Sequence, residues 1–163
     1  MSKKQLILSV VLVLAGLAIV TFLGGGVITG RVVSIQDGDT ITVLEGKTQY
    51  RVRLNGIDCP EKGQAFGNAA KQFTSDMVFG RVVKVKYKDK DRYGRYLGTV
   101  TLGKRNLNQE LVKAGLAWHY KAYSKDPVLA GLEVKARMDR AGLWADKHPE
   151  APWEYRRQKR EKP

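Results

Sequence analysis

The sequence predicts an α+β domain: a five-stranded closed barrel with three helices, preceded by one apolar N-terminal helix. Three observations predict it. The 163 residues amount to one domain, and 43% hydrophobic with 28% charged residues leaves apolar surface for a single core. The first 30 residues carry no charge after Lys4, so an apolar leader stands apart from the rest. Downstream, short stretches alternate in hydrophobicity with period two and then give way to helical spacing.

In the leader, Lys3 and Lys4 precede a run from Leu6 to Leu23 broken only by Ser9, Gly16 and Thr21. At ~1.5 Å per residue such a run nearly crosses a hydrocarbon core of ~30 Å. Residues 1–26 are therefore expected to be a signal anchor or transmembrane segment that ends in the hinge Gly24-Gly25-Gly26. The lysines before the run place the N-terminus in the cytoplasm and the following domain outside it. Cleavage of the leader would make the domain a secreted one.

The folded domain is expected over residues 27–146. Arg31 to Ile35, Thr40 to Leu44 and Tyr50 to Leu54 read as strands joined by the turn chemistry of Asp37-Gly38 and Glu45-Gly46-Lys47. Phe66, Ala70, Phe73 and Met77 then recur at helical spacing up to Gly80. Val82 to Tyr87 and Tyr96 to Val100 return to strand character. Leu107, Leu111 and Ala114 mark a second helix that Gly115 ends, and Asp126-Pro127 starts a third with Leu129, Leu132 and Ala136. Five short strands with a helix after the third suit a barrel of the OB type, whose usual ligands are oligonucleotides and oligosaccharides. Residues 147–163 read as a basic C-terminal tail, solvated or a fraying helix.

Composition narrows the partners. With 29 Lys and Arg against 16 Asp and Glu the formal charge is +13, of which +11 lies beyond the leader. That excess points to polyanions such as nucleic acid, or to an anionic membrane surface. The single cysteine, Cys59, excludes an internal disulfide framework and a multi-cysteine zinc site. Against this basic background, Asp37-Gly38-Asp39-Thr40 and Asp58-Cys59-Pro60-Glu61 place four acids at the ends of strands. Such hard oxygen donors suit Ca²⁺ or Mg²⁺. Arg53 lies on the strand leading to Asp58. Asp91-Arg92-Tyr93-Gly94-Arg95 sets two arginines around a tyrosine at a turn, a pattern that can grip phosphate and stack on a base.

Four segments in order carry a resemblance. Ile35 to Thr40, Arg53-Leu54-Asn55-Gly56-Ile57-Asp58-Cys59-Pro60-Glu61, Asp91 to Arg95, and Asn106 to Val112 with Gly115-Leu116-Ala117 resemble the signatures of the staphylococcal nuclease (thermonuclease) family. The similarity spans roughly Val27 to Trp144. It implies an OB-fold barrel and a Ca²⁺-dependent phosphodiesterase that cuts DNA and RNA and leaves 3′-phosphate ends. By position it implies Asp39, Asp58 and the main-chain carbonyl of Cys59 as Ca²⁺ ligands, with Asp37 in an outer shell. Arg53 and Arg95 would hold the scissile phosphate, and Glu61 would act on the attacking water. Arg92, Tyr93 and, through a looser similarity, Tyr123 would contact the nucleotide. Cys59 departs from the Thr or Ala common in the family, and Lys62-Gly63-Gln64 is a shorter segment than in its founding member. No obligate protein partner is expected. A noncatalytic, membrane-tethered OB-fold module that only binds nucleic acid is the alternative, and the four acids argue against it.

Overall fold

The computed structural model describes residues 25–161. The expected membrane-spanning leader therefore lies outside the described residues, apart from Gly25 and Gly26. Among the described residues no helix is long and apolar enough to cross a membrane.

Strand β1, Gly26–Asp37, is a twelve-residue strand that serves two neighbours. Its first half pairs antiparallel with β5 (Val82–Lys90), from Gly26 opposite Tyr87 to Arg31 opposite Val82. Its second half pairs with β2 (Thr40–Glu45), with register shifts at Val32/Ser34 and Ile35/Asp37. Bulges of this kind sharpen bend and twist, which lets one strand turn the corner of a small barrel. Strand β3 (Thr48–Leu54) continues from β2, and β6 (Tyr96–Leu102) continues from β5. Parallel pairing of Val52, Arg53 and Leu54 with Tyr96, Leu97 and Gly98 closes the five strands into a barrel. Gly26 is thus part of β1 rather than of a hinge, and β1 starts five residues before the expected Arg31.

Alternation along these strands sends Ile28, Val32, Ile41, Val43, Val52, Leu54, Val83, Val85 and Val100 into the barrel, all buried. Helix α1, Gly67–Val78, packs Ala70, Met77 and Val78 into the same core. Helix α2 (Leu107–Lys113), capped by Asn106, adds Leu107, Leu111 and Val112. Helix α3 (Pro127–Met138) starts at the Asp126 cap, whose side chain accepts from the Val128 and Leu129 amides, with Pro127 at the first helical turn.

The count of helices departs from expectation. Besides the three anticipated, the basic tail takes the helical of its two expected forms, with Pro152–Glu161 as α4, and Gly142–Ala145 makes a short 3₁₀ turn before it. Pro152 is again in the first turn, and Ala151 and Pro152 are buried, so α4 docks at its N-terminal end. Three two-residue strands also went unread: β4 (Ile57–Asp58), β7 (Arg105–Asn106) and β8 (Trp118–His119). Of these, β4 pairs with β8 and so fixes the main chain at Asp58.

Asn108 ties the closing seam of the barrel to α2. Its amide nitrogen donates to the Asn55 main-chain and side-chain oxygens and to the Gly98 carbonyl, and its oxygen accepts from the Val100 amide at 3.1 Å. Asn108→Leu keeps the bulk but orphans those buried groups. The expected result in urea denaturation is a loss of about 3 kcal/mol of unfolding free energy. A loss below about 1 kcal/mol would show that the seam does not depend on this side chain.

Candidate active site

The site is built at one mouth of the barrel, where β2 begins and β3 and β4 end. Antiparallel register places Thr40 opposite Arg53, and the Leu54 amide donates to the Asp39 carbonyl at 2.8 Å. The turn holding Asp37 and Asp39 is pinned from below. Thr74 of α1 donates its hydroxyl to the Gly38 carbonyl at 2.6 Å, and a Cβ at Gly38 would come within 2.9 Å of both Ala70 and Cys59 side-chain atoms. Only glycine allows that approach. Asp37 braces the turn by accepting the Asp39 amide at 3.0 Å.

Asp39 and Asp58 are both buried, and Arg53 lies between them. Its Nη1 is 3.0 Å from Asp39 Oδ2, and its Nη2 donates to Asp58 Oδ1 at 2.8 Å. Nη1 also donates to the Leu54 and Ile57 carbonyls, so the guanidinium is fixed to the main chain as well as to the acids. The Cys59 amide donates to Asp39 Oδ2 at 2.7 Å. Burial pushes the Asp39 carboxyl up to about 8, Asp37 and Asp58 adding to that push against Arg53. Burial alone would lower the Arg53 pKa, but Asp39 and Asp58 carry it above the ordinary guanidinium value. Burial, then the Asp39 charge, raises the Cys59 thiol well above its usual range, so its sulfur stays protonated.

Glu61 stands on the loop after β4. Its amide donates to Gln64 Oε1 at 2.9 Å and its carbonyl accepts from the Gln64 amide, so Gln64 closes the loop on itself. Gly67 permits this return, since a Cβ there would collide with the Glu61 carbonyl. Phe66, in the left-handed region at φ 65°, turns the chain from the loop into α1. The carboxylate of Glu61 meets a residue of the C-terminal helix α4. Arg156 Nη1 lies 2.6 Å from Glu61 Oε1, and its Nη2 lies 2.8 Å from Asp58 Oδ2.

The Asp91 to Arg95 turn reaches the same mouth because β6 closes on β3. Asp91 Oδ1 accepts the Tyr93 and Arg95 amides, and Asp91 Oδ2 pairs with Arg95 Nε at 2.7 Å. Although burial acts the other way, those hydrogen bonds from Arg95 and Tyr93 hold the Asp91 carboxyl below the usual range. Arg95 Nη1 points toward Thr40 Oγ1 at 3.5 Å, which aims it at the Asp39 side of the site. Tyr93 is 66% exposed, with the Arg92 guanidinium 4.9 Å from its ring centre, so both stand at the rim.

Tyr123 is placed differently. It is exposed and lines a polar depression with Asn55, Gly56 and Ser124. The tyrosine near the acids is Tyr120, whose ring lies edge-on to Tyr123 at 4.8 Å. Burial raises the Tyr120 hydroxyl, the nearby Asp58 charge adding to it and Arg156 opposing it. Two residues at the site were therefore missed, Tyr120 and Arg156. The aromatic run Trp118 to Tyr123 was the available signal for the first. For the second it was Pro152-Trp153 opening a basic stretch in the manner of a helix start.

Among the described residues no cluster of three or more His, Cys, Asp or Glu side chains closes on one point in the manner of an all-side-chain metal cage. A hard cation here would take Asp39, Asp58 and main-chain or solvent oxygen. The donors fit such an ion: both carboxylates are buried, and with Asp37 and Glu61 beside them acids outnumber the two guanidiniums.

A closed OB-type barrel with acids and guanidiniums at one mouth has the charge pattern of a phosphodiester-handling site. The staphylococcal nuclease homologue family matches residues 51–146. An endonuclease described as uncharacterized from Haemophilus influenzae is 47% identical over 133 residues, 81% of this chain and 75% of that protein. A protein from Shigella flexneri named micrococcal nuclease is 44% identical over 139 residues, 78% of this chain and 80% of that protein. An Escherichia coli protein named ParB is 49% identical over 140 residues, 79% of each. The chain belongs to the staphylococcal nuclease family, a family of hydrolytic nucleases.

The two arginines expected to hold phosphate differ in structural weight. Arg53→Met leaves Asp39 buried with no guanidinium beside it and Asp58 with one fewer, and should lower unfolding free energy by about 3 kcal/mol. Arg95→Met, whose partner Asp91 sits at the rim, should cost no more than about 1 kcal/mol. Equal losses in denaturant titration would contradict this division.

Proposed function

We propose that the domain is a Ca²⁺-dependent nuclease that hydrolyses phosphodiester bonds of DNA and RNA and leaves 3′-phosphate ends. The observation that carries this reading is the convergence of Asp39, Asp58, Glu61 and Arg53 at one mouth of the barrel, with Arg95 directed at it from the facing turn. The residues matching the family's metal ligands are the two buried carboxylates and the carbonyl of Cys59, the thiol being protonated and soft. Bound there, Ca²⁺ would supply positive charge opposite the non-bridging phosphate oxygens.

The chain's own groups do the rest. Water oxygen forms the new bond to phosphorus while the bond from phosphorus to the 5′ oxygen breaks, and the departing 5′ oxygen takes up a proton. This attack adds negative charge to the phosphoryl oxygens, where Arg53 and Arg95 donate more strongly to the transition state than to the ground state. Glu61 orients the water or accepts its proton. Arg92 and Tyr93 offer a guanidinium and an exposed ring to the adjoining nucleotide. The net charge of +11 beyond the leader draws the polyanion toward the domain. We further propose that the N-terminal segment anchors the domain on the extracytoplasmic side of a membrane.

Activity assays on the purified chain test the reading. Wild type should degrade single-stranded DNA with added Ca²⁺ and stop when a chelator is added. Glu61→Gln, Arg53→Lys and Arg95→Ala should each lower turnover by ~100-fold or more. Asp39→Ala and Asp58→Ala should abolish turnover or raise the Ca²⁺ requirement steeply, while Cys59→Ala should keep most of it because the carbonyl is unchanged. Wild-type turnover in Glu61→Gln, or a steep Ca²⁺ requirement in a folded Cys59→Ala, would overturn these assignments.

A further inference from the structure

We propose that Arg156 is a built-in competitor of the divalent cation, occupying Asp58 and Glu61 from the C-terminal helix until a cation takes its place. The inference rests on the nuclease reading above and adds a regulatory contact within the same site.

Arg156 is not a stray surface cation. Its guanidinium spans two acids: Nη1 lies 3.2 Å from Asp58 Oδ1 and 2.6 Å from Glu61 Oε1, and Nη2 lies 2.8 Å from Asp58 Oδ2. Arg53 already donates to Asp58 Oδ1, so both oxygens of this buried carboxylate carry guanidinium donors. Those oxygens are the ones a hard cation would use, and Glu61 Oε1 is the atom that would face the attacking water. A cation at Asp58 and a guanidinium across Asp58 and Glu61 are like charges on the same acceptors, and each weakens the other. Arg156 binds here against the cost of leaving water, because the hydrogen bonds and charges of Asp58 and Glu61 outweigh it.

The helix that carries Arg156 is held in register by its own contacts. Trp153 stacks on Tyr120 at 5.3 Å and 3° and meets Trp118 edge-on at 5.4 Å. Gln64, which closes the Glu61 loop, donates its side-chain amide to the Glu150 carbonyl at 2.8 Å. The loop bearing Glu61 and the lead-in to α4 are thus fastened together, and Arg156 is delivered three residues after the stacked Trp153. Arg157, the next residue, faces away and pairs with Glu154 and Glu161 of its own helix. The same helix therefore carries an internal control: two arginines of equal charge, one in the site and one outside it.

Isothermal titration calorimetry of Ca²⁺ into the full-length protein, Arg156→Gln and Arg157→Gln separates the possibilities, with thermal melts to establish that each is folded. Arg156→Gln should bind Ca²⁺ about tenfold or more tightly than wild type, whereas Arg157→Gln, which removes the same charge, should stay within about twofold. Arg156→Lys, which keeps a charge without the bidentate fork, should fall between wild type and Arg156→Gln. Unchanged or weaker Ca²⁺ binding in folded Arg156→Gln and Arg156→Lys would overturn the proposal. An equal gain in Arg157→Gln would reduce it to net charge and likewise overturn it. Weakened single-stranded DNA binding in Arg156→Gln with unaltered Ca²⁺ affinity would make Arg156 a substrate contact instead. If wild type binds Ca²⁺ and cuts DNA while Arg156→Gln gains nothing, the competitor role alone fails. If no form binds Ca²⁺, the cation-dependent nuclease reading fails with it.

Discussion

Asp58 is the point on which the architecture converges. It is almost fully buried, yet it is gripped by Arg53 from the barrel and by Arg156 from the C-terminal helix. A carboxylate so far from water is tolerated only with charge and hydrogen bonds around it. That requirement dictates much of the surroundings: the β4 and β8 pairing that fixes its main chain, the register that sets Arg53 beside Asp39, and the docking of α4 through Trp153. The core supports this arrangement without taking part in it. Valines and isoleucines on the inner faces of the five strands hold the barrel at the width that brings the ends of β2, β3 and β4 together.

The acids gathered at this mouth are in excess of the guanidiniums that pair with them. In a chain of strongly positive charge, a pocket of buried acids would repel a polyanion if nothing else occupied it. On the proposed function a divalent cation would reverse that sign locally and leave Arg53 and Arg95 to face the phosphate. On this reading the two tasks are separate: the positive charge of the chain draws nucleic acid, and the buried acids would hold the group that makes the bond reactive.

Much of this could be read in the sequence because it depends on local spacing. The strands, α1 to α3 and the acids of Asp37-Gly38-Asp39 and Asp58-Cys59-Pro60-Glu61 follow from alternation, helical periodicity and turn residues within a few positions of one another. What escaped depends on distant pairing. The start of β1 at Gly26 was hidden because Gly26 and Gly30 have no side chains to extend the alternation of Ile28 and Val32. The two-residue strands β4 and β8 have no pattern of their own. Arg156 meets Asp58 across 98 positions, and nothing in the run Arg156, Arg157, Lys159, Arg160 marks one cation as inward. The seating of Trp153 on Tyr120 and Trp118, with Gln64 bound to the Glu150 carbonyl, decides it. Tyr123 was named through the family resemblance and Tyr120 was not, because spacing along the chain does not tell which ring turns toward the acids.

On the proposed function, water attacks phosphorus in line with a departing 5′ oxygen, under the control of a cation held by Asp39 and Asp58. Mass spectrometry of the products from a defined single-stranded oligonucleotide, cut by the purified full-length chain with Ca²⁺ and with chelator, tests it most directly. The expected fragments end in 3′-phosphate and begin with 5′-hydroxyl, and form only when the cation is present. Fragments with 5′-phosphate ends, or the same products in excess chelator, would contradict it.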